Sequence, residues 1–102
     1  TMRLENLWKQ EYPEQDRGFI HTCEWEELTM PMDHLTAGKP TDMKKARSYL
    51  SLLRSGNVDF PPLVSVNGVV IDGLHRFWAY QQMGYQTVTV YQNKPWAMPA
   101  AA

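Results

Sequence analysis

The stretch Val69-Val70-Ile71-Asp72-Gly73-Leu74-His75-Arg76-Phe77-Trp78-Ala79-Tyr80 decides how this chain is read. Three β-prone residues run directly into Asp-Gly, and a helix-compatible run with His75 and Arg76 in its first turn follows. The first N–H groups of a helix have no partner within it and lie at the positive end of its dipole. Gly73 allows close backbone approach, Arg76 offers a bidentate fork to phosphate oxygens, and His75 supplies a proton or hydrogen bond. Together they describe an anion pocket suited to phosphate. Asp72 has three readings: a cap for the helix, a ribose ligand, or a metal ligand beside the phosphate. Equally, Asp72-Gly73 is a common turn, and Arg76 can simply pair with a surface carboxylate.

Working outward, Leu63-Val64-Ser65-Val66 and Val69-Val70-Ile71 flank Asn67-Gly68, the strongest short hairpin signal, because a type I′ turn needs positive φ at both central residues. The helix beginning at about Leu74 should run to Met83 and stop at Gly84, with a last strand at Thr87–Tyr91. Upstream, Met43, Ala46, Tyr49, Leu50 and Leu53 line one face of a helix over 41–55, with Thr41 as N-cap and Gly56 as C-cap. Its other face carries Lys44, Lys45, Arg47 and Arg54, a basic stripe read first as a solvated face. Residues 29–40 hold Pro31, Gly38 and Pro40 and read as a loop. Phe19–Trp25 reads as a strand, and Leu4, Leu7 and Trp8 suggest a short N-terminal helix.

The expected fold class is α+β: a small mixed β-sheet with the Asn67-Gly68 hairpin at its centre, packed against helices 41–55 and 74–83. Its 102 residues suit one small domain, taken as 1–94 with a flexible tail over 95–102. With 10 Lys plus Arg against 11 Asp plus Glu, the net charge of -1 excludes nucleic-acid binding by bulk charge alone. Cys23 is the sole cysteine, which excludes an intramolecular disulfide and a cysteine zinc cage. His21 and His34 lack partners at ligand spacing. No long apolar run suggests a membrane span, and a cytoplasmic protein is the default expectation.

Pro61-Pro62-Leu63-Val64-Ser65-Val66, Gly68, Val70-Ile71-Asp72-Gly73-Leu74-His75-Arg76, Ala79, Gly84 and Val88-Thr89-Val90 resemble the core of the ParB/sulfiredoxin superfamily. The resemblance spans residues 41–91. It implies a nucleotide (ATP or ADP, or CTP), with Mg2+, held by Asp72, Gly73, Leu74, His75 and Arg76. Where sulfiredoxins carry the reactive Cys of their Gly-Cys-His-Arg segment, this chain has Leu74, so sulfinic-acid reduction by that route is not expected. In ParB proteins the related segment binds CTP, and their DNA-binding helices come after this core. Here residues 92–102 alone follow, so a partition protein is not expected. Superfamily kinases use Asp-Gly-His-His-Arg with an upstream glutamate as base. Glu24, Glu26, Glu27 and Asp33 lie where such a base would sit, and Glu24 and Glu27 are the chosen candidates, with His75 as a further catalytic group. Asp72 is the metal candidate.

The leading expectation is therefore a nucleotide-binding domain with ATP-dependent phosphotransfer or nucleotide hydrolysis. Arg76→Ala would then abolish nucleotide binding and leave the fold intact. The alternative is a non-catalytic phage- or plasmid-type accessory protein with a protein or DNA partner, and a third is a metal-dependent nuclease. Tyr85, Tyr91 and Trp96 are candidates for an exposed aromatic surface, for instance in a homodimer.

Overall fold

The computed structural model describes residues 24–56 and 58–94. They form strand β1 (Glu24–Pro31), a short 3-10 turn (Met32–His34), helix α1 (Met43–Ser55), strands β2 (Leu63–Val66) and β3 (Val69–Asp72), helix α2 (Leu74–Gln82) and strand β4 (Thr87–Lys94). The sheet order is β1-β4-β2-β3. β1 is antiparallel to β4, β4 is parallel to β2, and β2 is antiparallel to β3. This is the expected α+β architecture with a small mixed sheet.

The hairpin forms as read. Asn67 has φ 49° and Gly68 φ 81°, the two positive angles that a type I′ turn demands. Its place differs from the expectation, because β3 lies at the end of the strand order and β4 and β2 occupy the middle. The backbone of Thr36 covers part of that outer strand: its N–H donates to the Gly68 carbonyl at 2.9 Å, and its carbonyl accepts from the Val70 N–H at 2.8 Å.

The reading of 29–40 as loop is wrong for its first residues, since β1 continues to Pro31 and the 3-10 turn follows at once. β1 is held by tertiary pairing, with an unbroken register from Glu24↔Lys94 to Pro31↔Thr87. Such pairing overrides the low strand propensity of its glutamates, and Pro31 is tolerated because it ends the strand. The part of the expected first strand before Glu24, the N-terminal helix, and the tail from Pro95 lie outside the described residues.

One face of the sheet carries the main core: Met30, Leu63, Val70, Val88 and Val90 against Phe77 of α2 and Leu35, with Leu28 and Leu74 partly buried beside them. α1 does not touch this cluster directly. It buries Ala46, Leu50 and Leu53, at helical spacing, and joins α2 through Leu50, Leu53 and Ala79, with Tyr49, Phe60, Trp78 and Tyr80 around them. The α1 cap is one residue later than expected. Asp42, not Thr41, is the N-cap, and its side chain accepts from the Lys45 N–H at 3.1 Å. Gly56, at φ 75°, closes the other end as anticipated.

β4 runs three residues past Tyr91. Gln92 and Asn93 are buried although polar, because they have partners. Gln92 hydrogen-bonds the buried Ser65 hydroxyl of β2. The Asn93 side chain accepts from the Asn67 N–H at 2.8 Å and donates to the Asn67 side-chain oxygen at 3.0 Å. The turn is therefore tied to the central strand. Asn93→Ala should cost about 1–3 kcal/mol, since it removes two hydrogen bonds to the turn residue Asn67, each worth roughly 0.5–1.5 kcal/mol. Urea unfolding measures this, and a loss below roughly 0.5 kcal/mol would mean the tie contributes nothing net.

Candidate functional site

β3 ends at Asp72, and the chain turns through Gly73 into α2 without a spacer. Gly73 is the N-cap at φ 91°, a left-handed conformation that needs glycine. A β-carbon there would sit 2.5 Å from Leu63 Cδ2 and 2.7 Å from Arg76 Nη2. The Arg76 guanidinium has folded back over the glycine and occupies the space of its missing side chain. No side chain caps α2, so the first-turn N–H groups at Leu74, His75 and Arg76 keep the anion-attracting character of an open helix start.

Arg76 is 9% exposed. Its Nη1 donates to the Pro61 carbonyl at 2.5 Å, and its Nη2 lies 3.5 Å from Asp72 Oδ2. Asp72 thus pairs with Arg76 rather than capping the helix. Arg76 joins the Pro61-Pro62 segment to the β3–α2 turn, so removing it should loosen the fold, contrary to the expectation of an intact one.

α1 reaches the same place. The Asp42 N–H donates to His75 Nε2 at 3.1 Å. That bond requires an unprotonated Nε2, which leaves Nδ1 as the ring donor of neutral His75. The starts of the two helices therefore meet around His75. Between them lies a cleft of about 300 Å3, lined by Lys45, Tyr49, Phe60, Pro61, Asp72, Gly73, His75 and Arg76. Lys45 and Arg76 face a single carboxylate, Asp72, which is already paired.

Four of the five residues assigned to phosphate binding, Asp72, Gly73, His75 and Arg76, line this cleft. Leu74 does not: its side chain packs against the main core, and only its backbone is at the helix start. Glu24 and Glu27 are exposed on β1. Glu27 pairs with Tyr91, Tyr91 with Val64, and Val64 with Asp72, so Glu27 and Asp72 share one row across the sheet. Three strand spacings separate them, about 14 Å. The structure does not bring either glutamate to the cleft. Among the described residues no group of three His, Cys, Asp or Glu side chains is placed to hold a metal ion.

Sequence reasoning passed over Tyr49, Phe60 and Pro61 as site residues, and it read Lys45, which could touch nucleotide phosphates, first as part of a solvated face. Lys45 was visible in the basic stripe, but nothing local distinguishes it from Lys44. Of the aromatic surface candidates, Tyr85 is 42% exposed, Tyr91 is half-buried beside Trp25 and Val64, and Trp96 lies outside the described residues. Phe77 is buried in the main core.

No protein-family model matches the sequence, and no curated protein matches it. Solved structures do. A pNOB8-like ParB N-domain aligns with a TM-score of 0.57 at 19% identity, over 70% of this chain and 30% of its own. A free serine kinase mutant in complex with AMP aligns with a TM-score of 0.58 at 12% identity, over 66% of this chain and 30% of its own. Sulfiredoxin from Arabidopsis thaliana aligns with a TM-score of 0.51 at 19% identity, over 66% of this chain and 83% of its own. The described chain is thus a mixed-sheet α+β domain with an open helix start directly after the β2–β3 hairpin. Its fold is the one these ParB N-domain, serine kinase and sulfiredoxin structures share. It spans less than a third of the length of the ParB and kinase structures. No helix among the described residues is long and apolar enough to cross a membrane.

Two outcomes follow from Arg76 and the ring beside it. Arg76→Ala should lower unfolding free energy by about 1.5–3 kcal/mol, the usual cost of losing hydrogen bonds to a buried charged group, and Arg76→Lys should not restore it. Chemical denaturation reads both. Burial raises the Tyr80 phenol above its ordinary 10.0; Arg76 opposes the rise, while Tyr85 and Asp59 add to it. The folded state therefore holds the phenol proton more tightly than the unfolded chain. This contributes stability that is complete below pH 10 and is lost as pH rises through the folded value. Stability should fall above that pH, and less so in Tyr80→Phe, as followed by melting temperature against pH.

Proposed function

We propose that the cleft between the starts of α1 and α2 binds a nucleotide by its phosphates. The observation that carries this reading is the convergence of an uncapped helix start with Lys45, His75 and Arg76 around a cleft of about 300 Å3. The α2 amides and Lys45 contact phosphate oxygens. Arg76 sets the local positive field while holding Pro61, and the His75 Nδ1–H offers a further donor. Tyr49 and Phe60 give the cleft an apolar wall for the rest of the nucleotide. The serine kinase of the same fold was solved with AMP, which is in keeping with this ligand class.

The residues also fit magnesium in a limited sense. Asp72 is the one carboxylate at the cleft, so a Mg2+ ion would rest on Asp72 and on the phosphates themselves, as it commonly does with nucleotides. It would neutralise charge on the phosphates. Phosphotransfer or hydrolysis would follow from positioning and charge stabilisation. A second reading, a non-catalytic accessory protein with a protein or DNA partner, is favoured by one observation. Leu74 is turned into the core, Asp72 is engaged by Arg76, and the His75 Nε2 already accepts from the Asp42 N–H, so none of the three is free to act as nucleophile or base.

Titration with ATP, ADP, CTP and GTP, with and without Mg2+, should raise the melting temperature, because a ligand of the folded state alone stabilises it. Lys45 is exposed, so Lys45→Gln should keep the fold. Loss of one charged phosphate contact should weaken binding by roughly tenfold. No shift at millimolar nucleotide, or equal affinity in Lys45→Gln, would remove the proposal. Binding without phosphate release or transfer would select the non-catalytic reading.

A further inference from the structure

The Phe60–Pro61 segment is a wall with a cleft on each side. Opposite the cationic cleft lies a smaller one of about 190 Å3, lined by Asp59, Phe60, Pro61, Pro62, Tyr80 and Tyr85, together with Thr29, Thr87 and Thr89 and the intervening Val88. Three aromatic rings belong to it and are not stacked flat. Phe60 and Tyr80 have centroids 6.4 Å apart at 75°, and Tyr80 and Tyr85 have centroids 4.9 Å apart at 47°. The cleft is therefore bounded by aromatic surface from three rings, none stacked flat on another.

The polar groups here have the opposite character to those across the wall. No Lys, Arg or His lines the cleft. Asp59 is its one charge, is exposed, and makes no ion pair among the described residues. The nearest guanidinium influence is that of Arg76, which is turned into the other cleft toward Pro61 and Asp72. Hydroxyls of three threonines and two tyrosines supply further acceptors. A group that complements aromatic surface, one unpaired carboxylate and several hydroxyl acceptors is a cation with donors only. The volume of about 190 Å3 lies below the roughly 300–1,000 Å3 typical of sites for drug-sized ligands, so the occupant is small.

We propose that this second cleft binds a primary alkylammonium group on a narrow apolar stem, with Phe60, Tyr80 and Tyr85 around the stem and head and Asp59 as counter-charge. Such a group is presented by a free aliphatic amine or by the lysine side chain of a partner. Phe60 and Pro61 line both clefts, so the two sites share a wall.

The test is an NMR titration of the isotope-labelled protein with n-butylammonium chloride and, separately, with 1-butanol, at constant ionic strength. Backbone resonances of Phe60, Tyr85 and Thr87 should shift and saturate with the ammonium but not with the alcohol. Asp59→Asn, which removes no contact that supports the fold, should weaken the ammonium by roughly three- to fivefold. An N-acetyl-lysine N-methylamide probe separates the sources: a matching response assigns a lysine side chain, and none beside a response to butylammonium assigns a free amine. An equal response to butanol, the absence of a saturating response at tens of millimolar, or unchanged affinity in Asp59→Asn would overturn the proposal.

Discussion

A single buried guanidinium organises the functional end of this domain. Arg76 reaches back across one helical turn, lies over Gly73, and binds both the Pro61 carbonyl and the Asp72 carboxylate. A charge only 9% exposed is tolerated because Nη1 is hydrogen-bonded to the Pro61 carbonyl and a carboxylate stands beside Nη2. Through these contacts the β3–α2 turn, the chain entering β2 and the first turn of α2 become one unit. Gly73 is part of the same arrangement, since any side chain there would contest the space of the guanidinium.

What could be read in advance follows the range of the forces involved. Asn67-Gly68 and Asp72-Gly73-Leu74 are local signals: φ requirements and helix-start physics act over a few residues, and both turns appear where the sequence puts them. β1 and the end of β4 were less visible because cross-strand pairing and the Ser65–Gln92 and Asn67–Asn93 contacts, 26 or 27 residues apart, hold them. The site divides the same way. Asp72, Gly73, His75 and Arg76 are neighbours in sequence and meet in the cleft. Lys45, Tyr49 and Phe60 arrive from α1 and the segment after it, and Asp42 meets His75 across 33 residues. Glu24 and Glu27 were placed by analogy of chain position, and the strand order sets β1 and β3 at opposite ends of the sheet.

The two sides of the Phe60–Pro61 wall illustrate how little chain is needed to create contrasting environments. On one side Lys45, Arg76 and the open start of α2 gather positive character; on the other, Asp59 and three aromatic rings gather negative character. The backbone scaffold is shared with proteins of different chemistry. What distinguishes this chain is the set of side chains on that scaffold, with Leu74 committed to the core instead of the cleft.

The Thr36 bridge has a consequence for assembly. With its backbone occupying Gly68 and Val70, the outer margin of β3 has surrendered its templating positions there, and another polypeptide cannot extend the sheet at that point. Growth by strand addition is left to the β1 end of the described order, where Glu24, Glu26 and Glu27 are exposed. Two copies meeting there would set glutamates against glutamates, so the sheet discourages its own polymerisation with a plug at one end and like charge at the other.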